Sequence, residues 1–114
     1  MKILVIEDDE QLQRIFLRFV KMFFKTTDIT VVDNARDSIF LLETHDYALV
    51  ISDFDLKDGT NGGQVLAWLK EHKPAALDRF VFVSANEDVQ KLHDRYLPKP
   101  CTIDEMRAYF HAFL

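Results

Sequence analysis

The chain is poor in the residues that build cross-linked or repetitive frameworks. Its 114 residues include one cysteine, three glycines and three prolines. A single cysteine excludes an internal disulfide framework and is typical of a reducing compartment. No segment is repetitive or low in complexity, and 48% of the residues are hydrophobic, which is typical of a globular protein. We therefore predict one domain over residues 1–114.

Long apolar runs and an excess of positive charge are also missing. Glu7 follows directly on a four-residue apolar run, so the N-terminus lacks the pattern of a signal peptide. No apolar stretch approaches the roughly 20 residues that a bilayer-spanning helix needs. The formal net charge of −5 argues against nucleic acid as a partner, because phosphate binding needs a basic surface. We predict a cytoplasmic protein that binds neither nucleic acid nor membrane.

Five short apolar segments are spaced along the chain. Most of them are unbroken runs, which is typical of strands covered on both faces, as in a parallel sheet. The predicted strands are ILVI (3–6), ITVV (29–32), ALVI (48–51), FVFV (80–83) and, as a weaker candidate, RYLP (95–98).

Segments with helical spacing lie between and after the strands, over residues 10–24, 35–45, 62–72 and 103–114. Asp33 or Asn34 is a predicted cap of the second helix, and Thr102 with Glu105 forms the pattern of a capping box before the last. The apolar stripe of the first helix consists of Leu12, Ile15, Phe16, Phe19 and Phe23.

Strand and helix thus alternate five times. This alternation predicts right-handed crossovers and a parallel sheet with helices on both faces. The ligand site of such a sheet lies beyond the carboxyl ends of its strands. If the chain has a ligand site, the residues just after each strand should therefore be ones that can bind a ligand.

Charged and polar residues do follow the strands. Converging carboxylates repel one another, and a hard divalent cation such as Mg²⁺ relieves that repulsion. A carboxylate, a cation, a hydroxyl and a lysine together are typical of a phosphoryl-transfer centre. The residues concerned are Glu7, Asp8, Asp9 and Glu10 after the first strand, Asp53 after the third, Ser84 after the fourth and Lys99 after the fifth.

Four motifs give the chain a resemblance to the receiver domains of two-component response regulators. They are KILVIEDDE (2–10), YALVISDFDL (47–56), VFVSA (81–85) and YLPKP (96–100), in the family's order. The resemblance implies a flavodoxin-like, doubly wound, five-stranded parallel sheet of order 2-1-3-4-5. It implies a phosphorylation-dependent switch rather than an enzyme. Such a switch catalyses only its own phosphorylation and dephosphorylation.

The resemblance also assigns roles and partners. It implies that the phosphodonor is a histidine kinase or a histidine phosphotransfer protein. The phosphorylated protein would then act on a downstream protein target or pass the phosphoryl group on, and a homodimer is compatible with either role. It further implies a cis Lys99–Pro100 bond. The implied roles are phosphoacceptor for Asp53, Mg²⁺-binding acid pair for Glu7 and Asp8, metal-ligating backbone carbonyl for Asp55, conserved hydroxyl for Ser84, phosphoryl-contacting lysine for Lys99 and switch aromatic for Tyr96.

One region departs from the family pattern. Residues 85–95, ANEDVQKLHDR, leave room for at most about two turns of helix before the fifth strand. The fourth helix is therefore predicted to be shortened, which affects a surface that the family uses for output.

A second apolar surface of the first helix is open to two interpretations. Leu17, Val20 and Phe24 extend its apolar stripe to one side. They form either a wide core face or a docking surface for a kinase or phosphotransfer helix bundle.

Two other functions compete with the receiver interpretation. VISDFDL resembles the nucleophile motif of haloacid-dehalogenase-type phosphatases, with Asp53 as nucleophile and Asp55 as general acid. The metal-binding acids here precede that strand, and no cap domain fits, which argues against this alternative. A receiver-like scaffold that no longer switches is the third hypothesis, and the intact set of acids argues against it.

Overall fold

The computed structural model describes residues 1–113 and contains a five-stranded, all-parallel sheet of order β2-β1-β3-β4-β5. The predicted flavodoxin-like fold and its strand order are confirmed. β3 begins one residue later than predicted, and β4 extends to include Ser84. The strands are β1 (Ile3–Ile6), β2 (Ile29–Val32), β3 (Leu49–Ser52), β4 (Phe80–Ser84) and β5 (Tyr96–Pro98).

Four α-helices and three short 3₁₀ segments connect and follow the strands. Asn34, rather than Asp33, caps α2, and the predicted capping box of Thr102 and Glu105 is present before α4. Within residues 1–113, no helix is both long and apolar enough to cross a membrane. The helices are α1 (Glu10–Phe24), α2 (Ala35–Thr44), α3 (Gly62–His72) and α4 (Ile103–Phe110), and the 3₁₀ segments are Pro74–Arg79, Glu87–Lys91 and His111–Phe113.

The crossover between β4 and β5 contains no α-helix. Its only regular element is the 3₁₀ segment Glu87–Lys91, so the shortening predicted for this region is confirmed. Two side chains cover the sheet here instead. Val89 is 1% exposed, and Nε2 of His93 donates to the carbonyl oxygen of Phe80 at 2.6 Å.

Two apolar clusters cover the two faces of the sheet. One contains Phe16 and Phe19 of α1 with Phe110 of α4, and the other contains residues of α2 and α3. Ile15, although it belongs to the predicted apolar stripe of α1, is 46% exposed and lies outside the core. The wide-core interpretation of α1 is supported, because Val20 and Phe24 are buried in the first cluster. The side surface that they would have offered to a partner is therefore occupied.

Candidate functional site

Three carboxylates meet where β1 and β3 end. The two strands are neighbours with Ile6 opposite Ser52, so the chain leaves both strands at the same point of the sheet edge. The backbone N–H of Asp53 then donates to the carbonyl oxygen of Ile6 at 2.9 Å. As a result, one carboxylate oxygen from each of Glu7, Asp8 and Asp53 lies within 4.8 Å of the other two. The predicted convergence of these acids is present.

Lys99 reaches this cluster from the end of β5. Its Nζ lies 2.7 Å from Oε1 of Glu7 and 3.2 Å from Oδ2 of Asp53. All three side chains are largely buried, with 15% of the Lys99 and Asp53 side chains and 2% of the Glu7 side chain exposed. The Lys99–Pro100 peptide is cis, as expected. The two Nζ–O distances show that the lysine faces the carboxylates of two different strand ends.

Burial and charge act against each other in this cluster. Burial raises the pKa of Glu7 above its ordinary value and the charge of Asp53 adds to the rise, while the hydrogen bond and charge of Lys99 oppose it. For Lys99, burial favours a lower pKa, but the hydrogen bond to Glu7 and the two carboxylate charges outweigh it, and the pKa is raised. Lys99 is therefore cationic at neutral pH.

The remaining acids near β1 serve local structure. Oδ1 of Asp9 accepts hydrogen bonds from the backbone N–H groups of Gln11 and Leu12 at 2.9 and 3.1 Å, which makes it the cap of α1. Glu10 lies in the first turn of that helix and is exposed. Because Asp9 is committed to the helix, Glu7 and Asp8 are the acids of this run that face Asp53.

The donor set fits a hard divalent cation. It is made of carboxylate oxygens, which Mg²⁺ and Ca²⁺ prefer, and it includes no sulfur or imidazole. Oδ1 of Asp53 is oriented by the backbone N–H of Phe54 at 2.7 Å. The backbone carbonyl of Asp55, the fourth predicted ligand, accepts no hydrogen bond from any residue in the described range 1–113. Its lone pairs are free for a metal.

Ser84 joins Lys99 and Tyr96 through its main chain. Its carbonyl oxygen accepts from the backbone N–H of Lys99 at 3.0 Å and from the hydroxyl of Tyr96 at 2.9 Å. Its own Oγ is buried and accepts from the N–H of Asn86 at 3.1 Å. Burial raises the pKa of Tyr96, so its hydroxyl is neutral and able to donate. Any movement of Ser84 therefore changes the environment of both residues.

Gly62 is a site residue that the sequence analysis missed. A Cβ on Gly62 would lie 2.5 Å from the carbonyl oxygen of Asp53 and 2.6 Å from Cε1 of Phe82. Its N–H donates to the carbonyl oxygen of Phe54 at 2.6 Å. The glycine thus lets the start of α3 approach the backbone of the phosphoacceptor candidate. The capping box of Asn61 and Gln64 around it was a readable signal for the helix start.

Comparison with known proteins adds a family and a set of structural neighbours. Residues 3–111 match the family model described as the response regulator receiver domain. No protein of curated function matches the chain. Among solved structures, a response-regulator receiver domain from Methylobacillus flagellatus is 23% identical, with a TM-score of 0.79, and the match covers 100% of this chain and 98% of that one.

A second structural neighbour holds a metal. The receiver domain of a sensor histidine kinase from Pseudomonas aeruginosa PAO1 is 18% identical to this chain and has a TM-score of 0.82. The match covers 98% of this chain and 96% of that one, and that structure has a magnesium ion coordinated in its active-site cleft. A receiver domain from Francisella, 22% identical with a TM-score of 0.75, matches 98% of this chain and 94% of its own length.

Proposed function

We propose, on the premise that this chain belongs to the response-regulator receiver family, that Asp53 accepts a phosphoryl group and thereby switches the protein between two states. The observation that carries this proposal is the environment of the Asp53 carboxylate. Oδ1 is held by the N–H of Phe54, while Oδ2 faces the ammonium of Lys99. One oxygen is thus anchored, and the carboxylate is presented to the crevice in a fixed orientation.

We further propose that the site uses Mg²⁺. Glu7, Asp8 and Asp53 would hold the ion through carboxylate oxygens, and Asp55 through its backbone carbonyl. The cluster of three acids supports this, as does its oxygen-only donor set. When bound, the ion supplies positive charge against the negative charge of the phosphoryl oxygens. The Pseudomonas neighbour, with magnesium in the corresponding kind of cleft, is consistent with this assignment.

The transfer step uses the residues of this chain as follows. A carboxylate oxygen of Asp53 attacks the phosphorus of the donor and forms a new P–O bond. The bond from phosphorus to the donor breaks, and the donor nitrogen or oxygen leaves with the electron pair. Lys99 balances charge on the phosphoryl oxygens, and Ser84 donates its hydroxyl hydrogen to one of them. The donor class that the family implies is a phosphohistidine of a histidine kinase or phosphotransfer protein.

The switch follows from the same contacts. A phosphoryl group on Asp53 replaces the carboxylate as the anion that Lys99 faces, and it draws the Ser84 hydroxyl toward a phosphoryl oxygen and away from the N–H of Asn86. Because the Ser84 carbonyl holds the hydroxyl of Tyr96, movement of Ser84 releases the tyrosine to another orientation. The phosphorylated protein then presents a different surface to a downstream protein, or passes the phosphoryl group on.

The proposal extends to the domain extent, the location and the output of the protein. Residues 1–114 act as one phosphoacceptor domain, located in the cytoplasm, and a homodimer is one form that the output can take. The shortened β4–β5 crossover removes the helix through which many relatives would signal, so the output surface is expected to include β5 and α4.

Intact-mass measurement after incubation with acetyl phosphate tests the proposal. The protein is incubated with donor in Mg²⁺ or in excess chelator, beside an Asp53→Asn variant. We expect a single phosphoryl adduct that requires both Mg²⁺ and Asp53. Donor turnover without an adduct would instead support the phosphatase alternative. An absence of both adduct and turnover in folded protein would support the non-switching scaffold.

A further inference from the structure

Gln13, near the start of α1, is hydrogen bonded back to the end of β1. Its side-chain Nε2 donates to the carbonyl oxygen of Glu7 at 2.6 Å. Its backbone N–H donates to the carbonyl oxygen of Asp9 at 2.9 Å. Glu7 and Asp9 are the two neighbours of Asp8 in the chain. One residue of α1 thus holds the main chain on both sides of Asp8.

The carboxylate of Asp8 has no cation to hold it in place. Lys99 pairs with Glu7 and Asp53, and no ion pair within residues 1–113 includes Asp8. One oxygen from each of the three carboxylates nevertheless lies within 4.8 Å of the other two, so the acids repel one another. Asp8 is only half-buried, and this repulsion favours a turn of its side chain toward solvent. Its orientation toward the other acids therefore depends on the main chain.

We propose that Gln13 is a positioning residue of the metal site, which keeps Asp8 turned toward Asp53 and thereby raises the affinity for Mg²⁺. This role rests on the proposed function, because it takes the three acids as the Mg²⁺ site. The carbonyl of Glu7 belongs to the planar peptide that joins Glu7 to Asp8, so the hydrogen bond from Gln13 fixes the orientation of that peptide. Ligands that already face one another lose less conformational freedom when the ion binds.

The other hydrogen bonds of this turn do not fix the peptide between Glu7 and Asp8. The N–H of Glu7 donates to the carbonyl oxygen of Val32 at 2.9 Å, on the strand side of Glu7. Oδ1 of Asp9 caps α1, on the helix side of Asp8. Within residues 1–113, Nε2 of Gln13 is the only hydrogen-bond donor to the Glu7 carbonyl. Loss of this donor therefore frees the peptide to rotate.

Gln11 offers a matched control in the same helix. Its backbone N–H donates to Oδ1 of Asp9, but its side chain is exposed and forms no hydrogen bond within the described residues. Methionine has nearly the length and the helix propensity of glutamine and lacks the amide donor. Gln11→Met and Gln13→Met therefore make the same chemical change two residues apart, and only the second removes a hydrogen bond to Glu7.

The first measurement is the midpoint of a MgCl₂ titration at constant ionic strength, followed by amide shift changes in NMR spectra of the full chain. We expect Gln13→Met to weaken Mg²⁺ binding roughly three- to tenfold, the range that loss of one hydrogen bond produces. Gln13→Asn keeps an amide but is one methylene shorter, so it should not reach the Glu7 carbonyl and should weaken binding similarly. Gln11→Met should leave the midpoint unchanged.

The second measurement separates capture of the ion from the transfer step. The rate of adduct formation from acetyl phosphate is recorded over a range of Mg²⁺ concentrations. In Gln13→Met the Mg²⁺ concentration that gives half the maximal rate should rise by the same factor as the titration midpoint. The rate at saturating Mg²⁺ should equal that of the unaltered chain, because Asp53 and Lys99 keep their contact. Urea unfolding measures the stability of each variant separately.

Three results would overturn the role of Gln13 alone. Equal Mg²⁺ midpoints for Gln13→Met and the unaltered chain, with or without a loss of stability, would leave Gln13 only a structural role at the helix start. An equal shift in Gln11→Met would show that the hydrogen bond to Glu7 is not the cause. Unchanged affinity in Gln13→Asn would show that reach to the Glu7 carbonyl is not needed. Failure of the unaltered chain to bind Mg²⁺ is a different outcome, which would also overturn the metal assignment of the proposed function.

Discussion

Lys99 donates to Glu7 across 92 positions of the chain, with 2.7 Å between Nζ and Oε1. Glu7 is 1% exposed, so the lysine is the cation that compensates its buried charge. The same ammonium lies 3.2 Å from Oδ2 of Asp53. One side chain from the end of β5 therefore organises carboxylates that follow β1 and β3.

Lys99→Met should slow phosphorylation of Asp53 by roughly a hundredfold, the usual cost of removing one charge-stabilising donor from a transition state. The variant loses the cation that faces both Glu7 and Asp53. The measurement is the rate of adduct formation from acetyl phosphate by intact mass. Lys91→Met, which alters a lysine that is 77% exposed, is the control. A folded Lys99→Met protein that reacts at the unaltered rate would refute the role given to Lys99.

Asp55→Asn should speed loss of the phosphoryl group. Asp55 is exposed two residues after Asp53, where its charge repels the electron-rich water that attacks the phosphorus. Removing one like charge at the surface is worth on the order of a fivefold change in rate. The adduct is formed, the donor removed and its decay followed by mass. Asp58→Asn is the matched control in the same loop, and unchanged or slower decay in Asp55→Asn contradicts the prediction.

Gly62→Ala should destabilise the fold by about 1–3 kcal/mol, the usual cost of overpacking. The new Cβ would lie 2.5 Å from the carbonyl oxygen of Asp53, which is backbone and has little room to move. At Gly63 the nearest atoms belong to side chains, at 3.0 and 3.2 Å, so Gly63→Ala should cost less. Urea unfolding of both variants gives the comparison, and equal stability of the two would show that the contact at Gly62 is not limiting.

Tyr47 should contribute to loss of stability in alkali. Burial raises its pKa above 10.0, hydrogen bonding to Thr30 opposes the rise, and the charge of Asp28 adds to it. A group with a raised pKa stabilises the folded state fully below its unfolded pKa, and that contribution disappears as the pH rises through its folded pKa. As the pH rises above about 10, the ordinary pKa of a tyrosine, the unaltered chain should therefore lose more stability than Tyr47→Phe.

Urea unfolding of both proteins across this range measures the effect. Lys99 and the other tyrosines titrate in both proteins, so the difference between the two curves isolates Tyr47. Parallel curves would mean that the Tyr47 phenol titrates alike in the folded and unfolded states.

The strands, the helix starts and the acidic edge were readable from local sequence. Unbroken runs such as ILVI and FVFV predict strands buried on both faces, and the observed β1 coincides with the predicted segment. Thr102 with Glu105 marks the start of α4 through hydrogen bonds that span three residues. These features depend on neighbours in the chain, so the order of residues is sufficient to predict them.

The sequence by itself determined that acids, a hydroxyl and a lysine follow successive parallel strands, because strand period and turn chemistry are local. Only the tertiary structure decided which side chains face one another. Ile15 shares a helical stripe with Phe16, but the packing of α4 leaves it at the rim of a groove. Gly62 reads only as the first residue of a predicted helix until α3 is seen against the backbone of Asp53. Packing between distant segments sets these distances, and no local pattern encodes them.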